Sequence, residues 1–160
     1  MTVVADITIR AAADADFDAV HACIVGLANH VGEIEKMRGT PETLRRHSGF
    51  FRTLVAEQSG AVVGAVMFCP VYSSFRGESG AFILDLYVSG AARQGGLGRR
   101  LLRAALVEAG AWGAAYLMLN VHANNTVAQG FYRKLGFTSD PGEEQLCLSG
   151  AALAALEEAP

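Results

Sequence analysis

Positive charge is scarce in this sequence. Thirteen Lys and Arg stand against sixteen Asp and Glu, a formal net charge of −3. No basic stripe is available to neutralise nucleic-acid phosphates, and no polybasic segment to hold an anionic membrane. Apolar runs are short, broken by Gly, Arg or Asp well before the length of a membrane span. The stretch Met1 to Arg10 carries Asp6 and lacks a basic region followed by a long apolar one, so no secretory signal is expected. Cysteine is rare too. Cys23, Cys69 and Cys147 are odd in number and widely spaced, which predicts reduced, buried thiols in a cytoplasmic protein rather than disulfides. No Cys/His pair has zinc-ligand spacing and the four histidines are scattered, so no metal is expected. What is abundant is apolar residue: 51% hydrophobic over 160 residues, enough for a packed core and one domain spanning 1–160.

The patterning alternates between strand and helix periods. Ile7 to Arg10 reads as a strand. Asp14 starts a helix running to about Asn29 with Phe17, Val20, Ile24 and Leu27 on one face. A charged connection, Val31 to Gly39, carries Glu33 and Glu35. Thr40-Pro41-Glu42 starts a second helix that ends near Ser48-Gly49. Thr53 to Gln58 and Ala61 to Phe68 form a hairpin around Ser59-Gly60. Tyr72 to Gly80 reads as a loop and Ala81 to Val88 as a fourth strand. Leu97 to about Trp112 is a helix, Ala115 to Val121 a fifth strand, and Asn125 to Leu135 a short helix stopped by Gly136. Gln145 to Leu148 reads as a last strand before a terminal helix. The fold class is α/β, a single domain with a mixed sheet. A hairpin precedes the βαβ unit, which argues against a dinucleotide fold, where the glycine loop follows the first strand.

Arg93-Gln94-Gly95-Gly96-Leu97-Gly98 joins an apolar strand to an amphipathic helix. Glycines let the backbone turn and approach a ligand closely. The first N–H groups of the new helix lack internal partners, and its dipole adds positive character there. Together these make an anion site, to which Arg93, Arg99 and Arg100 add charge. A plain strand-to-helix turn is the competing reading of the glycines. A P-loop needs Gly-Lys-Ser/Thr, whereas Arg99-Arg100 follow Gly98. A dinucleotide fingerprint needs Gly or Ala where Leu101 stands.

The hexapeptide resembles the Gln/Arg-x-x-Gly-x-Gly/Ala loop of the GCN5-related N-acetyltransferases. Asp85-Leu86-Tyr87-Val88 is similar to the strand before that loop. Asn125, Ala128 and Phe131-Tyr132-Arg133-Lys134-Leu135-Gly136-Phe137 are similar to the family's second motif. The resemblance spans nearly the whole chain. It implies a mostly antiparallel mixed sheet flanked by helices, with a splayed central βαβ acyl-CoA site, and acetyl-CoA as co-substrate. The backbone of Leu86, Tyr87 and Val88 would pair with the pantetheine arm. The amides of Arg93, Gln94, Gly95, Gly96, Gly98 and Arg99 would hold the pyrophosphate. Asn125 would contact the cofactor arm, and Tyr132 would bring its hydroxyl near the thioester sulfur. The implied reaction is acetyl transfer to a primary amine by direct attack, with Tyr132 protonating the leaving thiolate. A core aromatic is the other reading of Tyr132.

Asp85 is the only charge in the run Phe82 to Val88. It reads either as a structural partner for an arginine or amide, or as the group that takes a proton from the amine. His122, at a strand end, is the other candidate base or a plain surface histidine. Within the family the likeness runs to the diamine acetyltransferases. Glu33, Glu35, Tyr72 and Asp85 would then line the site of a small cationic amine, and a solvated charge cluster is the alternative for the two glutamates. Polyamine enzymes carry Glu before the strand Asp, where this chain has Leu84. An amino acid, an aminoglycoside or a protein N-terminus is a further acceptor class, and a non-catalytic acyl-CoA sensor or assembly module a further function. Related enzymes are often homodimers, and the apolar Leu146 to Leu156 tail serves either an interface or the chain's own core.

Overall fold

The computed structural model describes residues 6–142 and 145–157. Its contacts divide the chain into two compact units, Met1–Asn125 and Thr126–Pro160. Residues 1–5 of the expected signal-free terminus, and the last three of the expected terminal helix, lie outside the described residues.

The larger unit holds a five-stranded sheet in the order β1-β2-β3-β4-β5. The strands are β1 (Thr8–Ala11), β2 (Arg52–Gln58), β3 (Ala61–Ser73), β4 (Glu78–Val88) and β5 (Leu117–Leu119). All neighbours are antiparallel except β4 and β5, which α3 (Leu97–Ala109) connects as a crossover. This is the mixed, mostly antiparallel sheet expected from the sequence. Helix α1 (Phe17–Val31) lies on one face of the sheet. There Phe17, Val20 and Cys23 bury against Val55, Ala65 and Met67. On α3, Leu97, Leu101, Leu102, Ala105 and Ala109 are buried, and Leu97 and Leu101 flank Gly64 of β3.

Local chemistry explains most boundaries. Thr40 caps α2 (Pro41–His47), accepting from the Thr43 N–H at 3.2 Å, and Pro41 occupies the first helical position without losing a bond. Ser59 and Gly60 both take positive φ, 53° and 80°, as a two-residue type I′ hairpin turn requires. Arg10 is held by Asp16 at 2.6 Å and Glu57 at 2.8 Å, tying β1 to the start of α1 and to β2.

Three expectations need correction. The segment Tyr72 to Gly80 is not one loop. β3 runs to Ser73 and β4 starts at Glu78, paired in register, so only residues 74–77 turn. Pro70 masks this continuation in the sequence. In the structure β2 ends its pairing at Phe68, and Ala81, opposite Pro70, turns its N–H the other way, to Tyr116 of the β5 side at 2.9 Å. The proline nitrogen therefore faces a vacant edge, where no donor is needed. Second, β5 is only three residues long. Third, residues 145–148 form no strand. Leu146 and Leu148 are exposed, and among the described residues no strand pairs with them.

In the second unit α4 (Thr126–Lys134) ends at Gly136, whose φ is 98°. The Phe137 N–H reaches the Tyr132 carbonyl at 3.1 Å and the Gly136 N–H the Arg133 carbonyl at 3.0 Å, the paired bonds of a Schellman end. Helix α5 (Gly150–Glu157) follows. Among the described residues no helix is long and apolar enough to cross a membrane.

Candidate active site

β4 is the strand on which the site is built. It pairs with β5 only through Ala81, Phe82 and Ile83, but with β3 as far as Val88. Beyond Ile83, no strand among the described residues pairs with the β5 side of β4. At that point the register with β3 jumps: Phe68 faces Ile83 and Met67 faces Asp85. Leu84 is the extra residue of a β-bulge.

The bulge decides what the open side offers. The Ser89 N–H bonds the Val63 carbonyl at 2.9 Å. The Gly64–Val88 pair therefore lies between ladder bonds, and Val88 turns its N–H and C=O away from β3. Two residues back, Leu86 does the same, while Tyr87 turns toward Ala65. Before the bulge it is the odd-numbered Ala81 that bonds outward, to β5. The extra residue has switched the parity, so that Leu86 and Val88 turn their backbone groups away from β3 where β5 has ended. Val63 is itself a bulge residue, because Ala56 faces Gly64 while Glu57 faces Val62.

The glycine loop follows at once. Residues Gly90–Gly95 make a 3-10 turn and Gly96 takes φ 67° and ψ 18° as the N-cap of α3. The left-handed conformation there favours glycine. The first intrahelical bond of α3 runs from the Arg100 N–H to the Gly96 carbonyl at 3.2 Å, so the amides of Leu97, Gly98 and Arg99 precede the ladder. No acidic residue stands in the first turn.

The three arginines diverge. Arg93 folds back, its Nε–H on the Val88 carbonyl at 3.0 Å and its guanidinium 5.9 Å from the Tyr87 ring centre. Arg100 leaves the loop and donates to the Ile7 carbonyl at 2.7 Å. Arg99 is exposed and makes no hydrogen bond or ion pair with a described residue. Of the arginine side chains expected at the phosphate, Arg100 is engaged at Ile7, just before β1, and Arg93 at the end of β4.

Asp85 lies opposite Met67 and Tyr87 opposite Ala65, so both side chains share the face that carries α1. Burial raises the Asp85 carboxyl above the usual carboxylate range. It makes no hydrogen bond or ion pair with a described residue, which removes the reading of Asp85 as an arginine's structural partner. Tyr87 packs against the α1 core, and a Cβ on Gly26 of α1 would lie 2.8 Å from its phenol.

The acceptor-side candidates are only partly gathered. Glu33 pairs with Lys36 at 2.5 Å. That hydrogen bond, with charge from Lys36 and His122, lowers its carboxyl. Glu35 is exposed. Tyr72 stands five residues along β3 from Met67, the partner of Asp85, roughly 16 Å away, and is 68% exposed. The strand does not bring it to Asp85. Asn125 closes a turn on the His122 carbonyl at 3.0 Å. In the second unit Tyr132 meets Phe131 and Phe137 edge-on at 5.2 and 5.5 Å. The thiols are more varied than expected. Cys23 is buried and pushed up to about 11, Cys69 is half-buried and Cys147 exposed, and all three are free.

A separate cavity of about 520 Å³ lies between β1 and α3, lined by Ile9, Leu54, Arg103 and Val107 among others. It includes no residue of the open β4 edge.

Comparison with known proteins places this geometry. Residues 20–137 match the acetyltransferase (GNAT) family. The chain is 35% identical over 96 residues to an uncharacterized N-acetyltransferase, YhfO, of Bacillus subtilis (strain 168), covering 60% of this chain and 64% of that protein. It is 37% identical over 93 residues to a mycothiol acetyltransferase of Amycolatopsis mediterranei (strain U-32), covering 56% and 30%. The matched stretch thus spans less than two thirds of either relative. Among solved structures, an integron cassette protein from the mobile metagenome of V. cholerae superposes with a TM-score of 0.75 at 17% identity, over 96% of this chain and 98% of that one. An aminoglycoside acetyltransferase from an uncultured soil metagenomic sample, solved with sisomicin, gives 0.71 at 17% identity over 89% and 95%. At such identities the structural likeness is one of fold. The family match covers most of the sequence, and the chain belongs to the acetyltransferase (GNAT) family.

Proposed function

We propose that the protein transfers an acetyl group from acetyl-CoA to the primary amine of a small cationic acceptor. The observation that carries the reading is the open β4 edge. Leu86 and Val88 turn backbone groups outward where β5 has stopped, immediately before a glycine loop and a free helix N-terminus. An amide-bearing arm can add to the edge as a strand does, and a pyrophosphate suits the helix start. Arg99, unpaired among the described residues, adds charge there.

The chemistry asks for a proton acceptor. An alkylammonium has a pKa near 10.4, so only roughly one molecule in a few thousand is neutral at pH 7. Asp85, desolvated and unpaired among the described residues, is suited to take that proton directly or through water. Charge developing on the thioester oxygen is met by an outward N–H of β4. Tyr132 is assigned as the acid for the leaving thiolate on the strength of the family motif. A cationic acceptor fits the acidic groups Asp85 and Glu33. The diamine reading is the narrower form: Leu84, where those enzymes have Glu, is the bulge residue and 42% exposed, so one carboxylate fewer is available.

The test is thiol release from acetyl-CoA across diamines, amino acids, aminoglycosides and peptides. Turnover greatest with a small cationic amine supports the proposal. CoA binding with no turnover on any acceptor would instead indicate a sensor.

A further inference from the structure

Beyond the Leu84 bulge, β4 offers two outward carbonyls, those of Leu86 and Val88, but they are not equivalent. The Val88 carbonyl is already bonded to Arg93 Nε at 3.0 Å. The Arg93 guanidinium also lies over the Tyr87 ring at 5.9 Å. That ring is held from α1, since Gly26 leaves no room for a Cβ beside the phenol. Arg93 is exposed and makes no ion pair with a described carboxylate, so no buried charge draws it onto the strand. The Leu86 carbonyl has no partner among the described residues.

We propose that Arg93 is a positioning residue that sets the register in which the amide-bearing arm of the donor pairs with β4. The proposal rests on the acetyl-CoA reading. An arm running parallel to β4 and opposite Tyr87 donates to the Leu86 carbonyl and accepts from the Val88 N–H, both of which are open. An arm moved on to lie opposite Ser89 needs the Val88 carbonyl as acceptor. So does an antiparallel arm paired squarely on Val88. Arg93 already takes one of the two lone pairs of that acceptor, and every pairing that ends on it is disfavoured. A shift of two residues moves the arm by about 6.6 Å, far beyond the tolerance of a reacting thioester. The cap thereby fixes where the acetyl group stops along the strand, while the amides of the loop hold the other end.

The full chain and its Arg93→Ala variant are compared with three probes: acetyl-CoA, S-acetylpantetheine, which has the arm and no phosphodiester, and adenosine 3′,5′-bisphosphate, which has no arm. Expected is a kcat lower by about 10-fold or more with both thioesters, a smaller change in KM, and unchanged affinity for the bisphosphate by calorimetry. Loss confined to acetyl-CoA, with an equal loss of bisphosphate affinity, overturns the proposal and makes Arg93 a phosphate charge. Wild-type behaviour of the variant also overturns it and leaves the donor reading standing. A wild-type chain that binds none of the three probes overturns both.

Discussion

Replacing Gly64 by alanine perturbs the β4 edge without touching a group that has chemistry. A Cβ at Gly64 would lie 2.9 Å from the Tyr87 carbonyl oxygen, 3.3 Å from Leu101 Cδ1 and 3.6 Å from Leu97 Cδ2. The first of these is a backbone atom in a paired strand and cannot swing away. Ordinary carbon-to-oxygen contacts begin near 3.3 Å, so β3 and β4 must separate locally by roughly 0.4 Å or more. Overpacking of this kind costs about 1–3 kcal/mol. The smaller unfolded-state entropy of alanine offsets about 0.4–1 kcal/mol. The net destabilisation is about 1–2 kcal/mol, or roughly 2–8 °C in Tm for a chain of this length. The strain falls on Tyr87, between the two residues that face the open side. A 1 Å misplacement is able to cost about 100-fold in rate, so half of that predicts about a 10-fold loss in kcat/KM. Gly49→Ala is the comparator: it has open space around it and no positive φ, so its effect should stay within about 0.5 kcal/mol. Thermal unfolding and steady-state kinetics on both variants decide the matter. A Gly64→Ala protein with wild-type Tm and kcat/KM would refute the argument that this contact holds the edge in place.

Asp85→Asn should lower turnover by about 100-fold or more and abolish the acid limb of the rate profile. In the wild type that limb should fall as pH drops through a pKa above the ordinary value of about 3.9. Because the folded-state pKa of Asp85 is raised, its contribution to stability is full below the unfolded pKa and is lost as pH rises through the folded one. Asp85→Asn should therefore raise Tm at pH 7 and change it little near pH 3; a Tm lowered at pH 7 contradicts the desolvation argument. Tyr132→Phe retains the ring that meets Phe131 and Phe137, so Tm should hold and CoA binding stay nearly intact while turnover falls. Unchanged turnover would remove Tyr132 as the acid.

What could be read in the sequence was whatever depends on neighbouring residues. Thr40-Pro41 announced a helix start, Ser59-Gly60 a tight turn and Gly136 a helix stop, because caps and turns are set within four residues. The loop Arg93 to Gly98 was legible as a glycine turn opening a helix for the same reason. Errors arose where the partner strand decides. Pro70 and the polar tip hid the extension of β3 and β4, since only pairing shows which side of Pro70 is vacant. Gln145 to Leu148 looked like a strand but takes no strand conformation. The bulges at Val63 and Leu84 leave no local signature, although Gly64 beside the first was a hint of close backbone approach. Two site properties needed coordinates outright: the Asp85 carboxyl, unpaired among the described residues, and the turn of Arg93 back onto Val88, where its side chain had been expected to serve phosphate.

An unfinished sheet is also a hazard, since free backbone groups at a margin invite a strand from another molecule. Here the invitation is brief. Beyond its pairing with β5, β4 runs on through Leu84 to Val88, the stretch opens on a bulge, and Arg93 stoppers its last carbonyl. The opposite margin, β1, is four residues long and bears Arg10. Neither margin reaches the five or six regular pairs of an average strand. A flexible ligand with one or two amides finds enough here to bind, and a polypeptide finds too little to begin an aggregate.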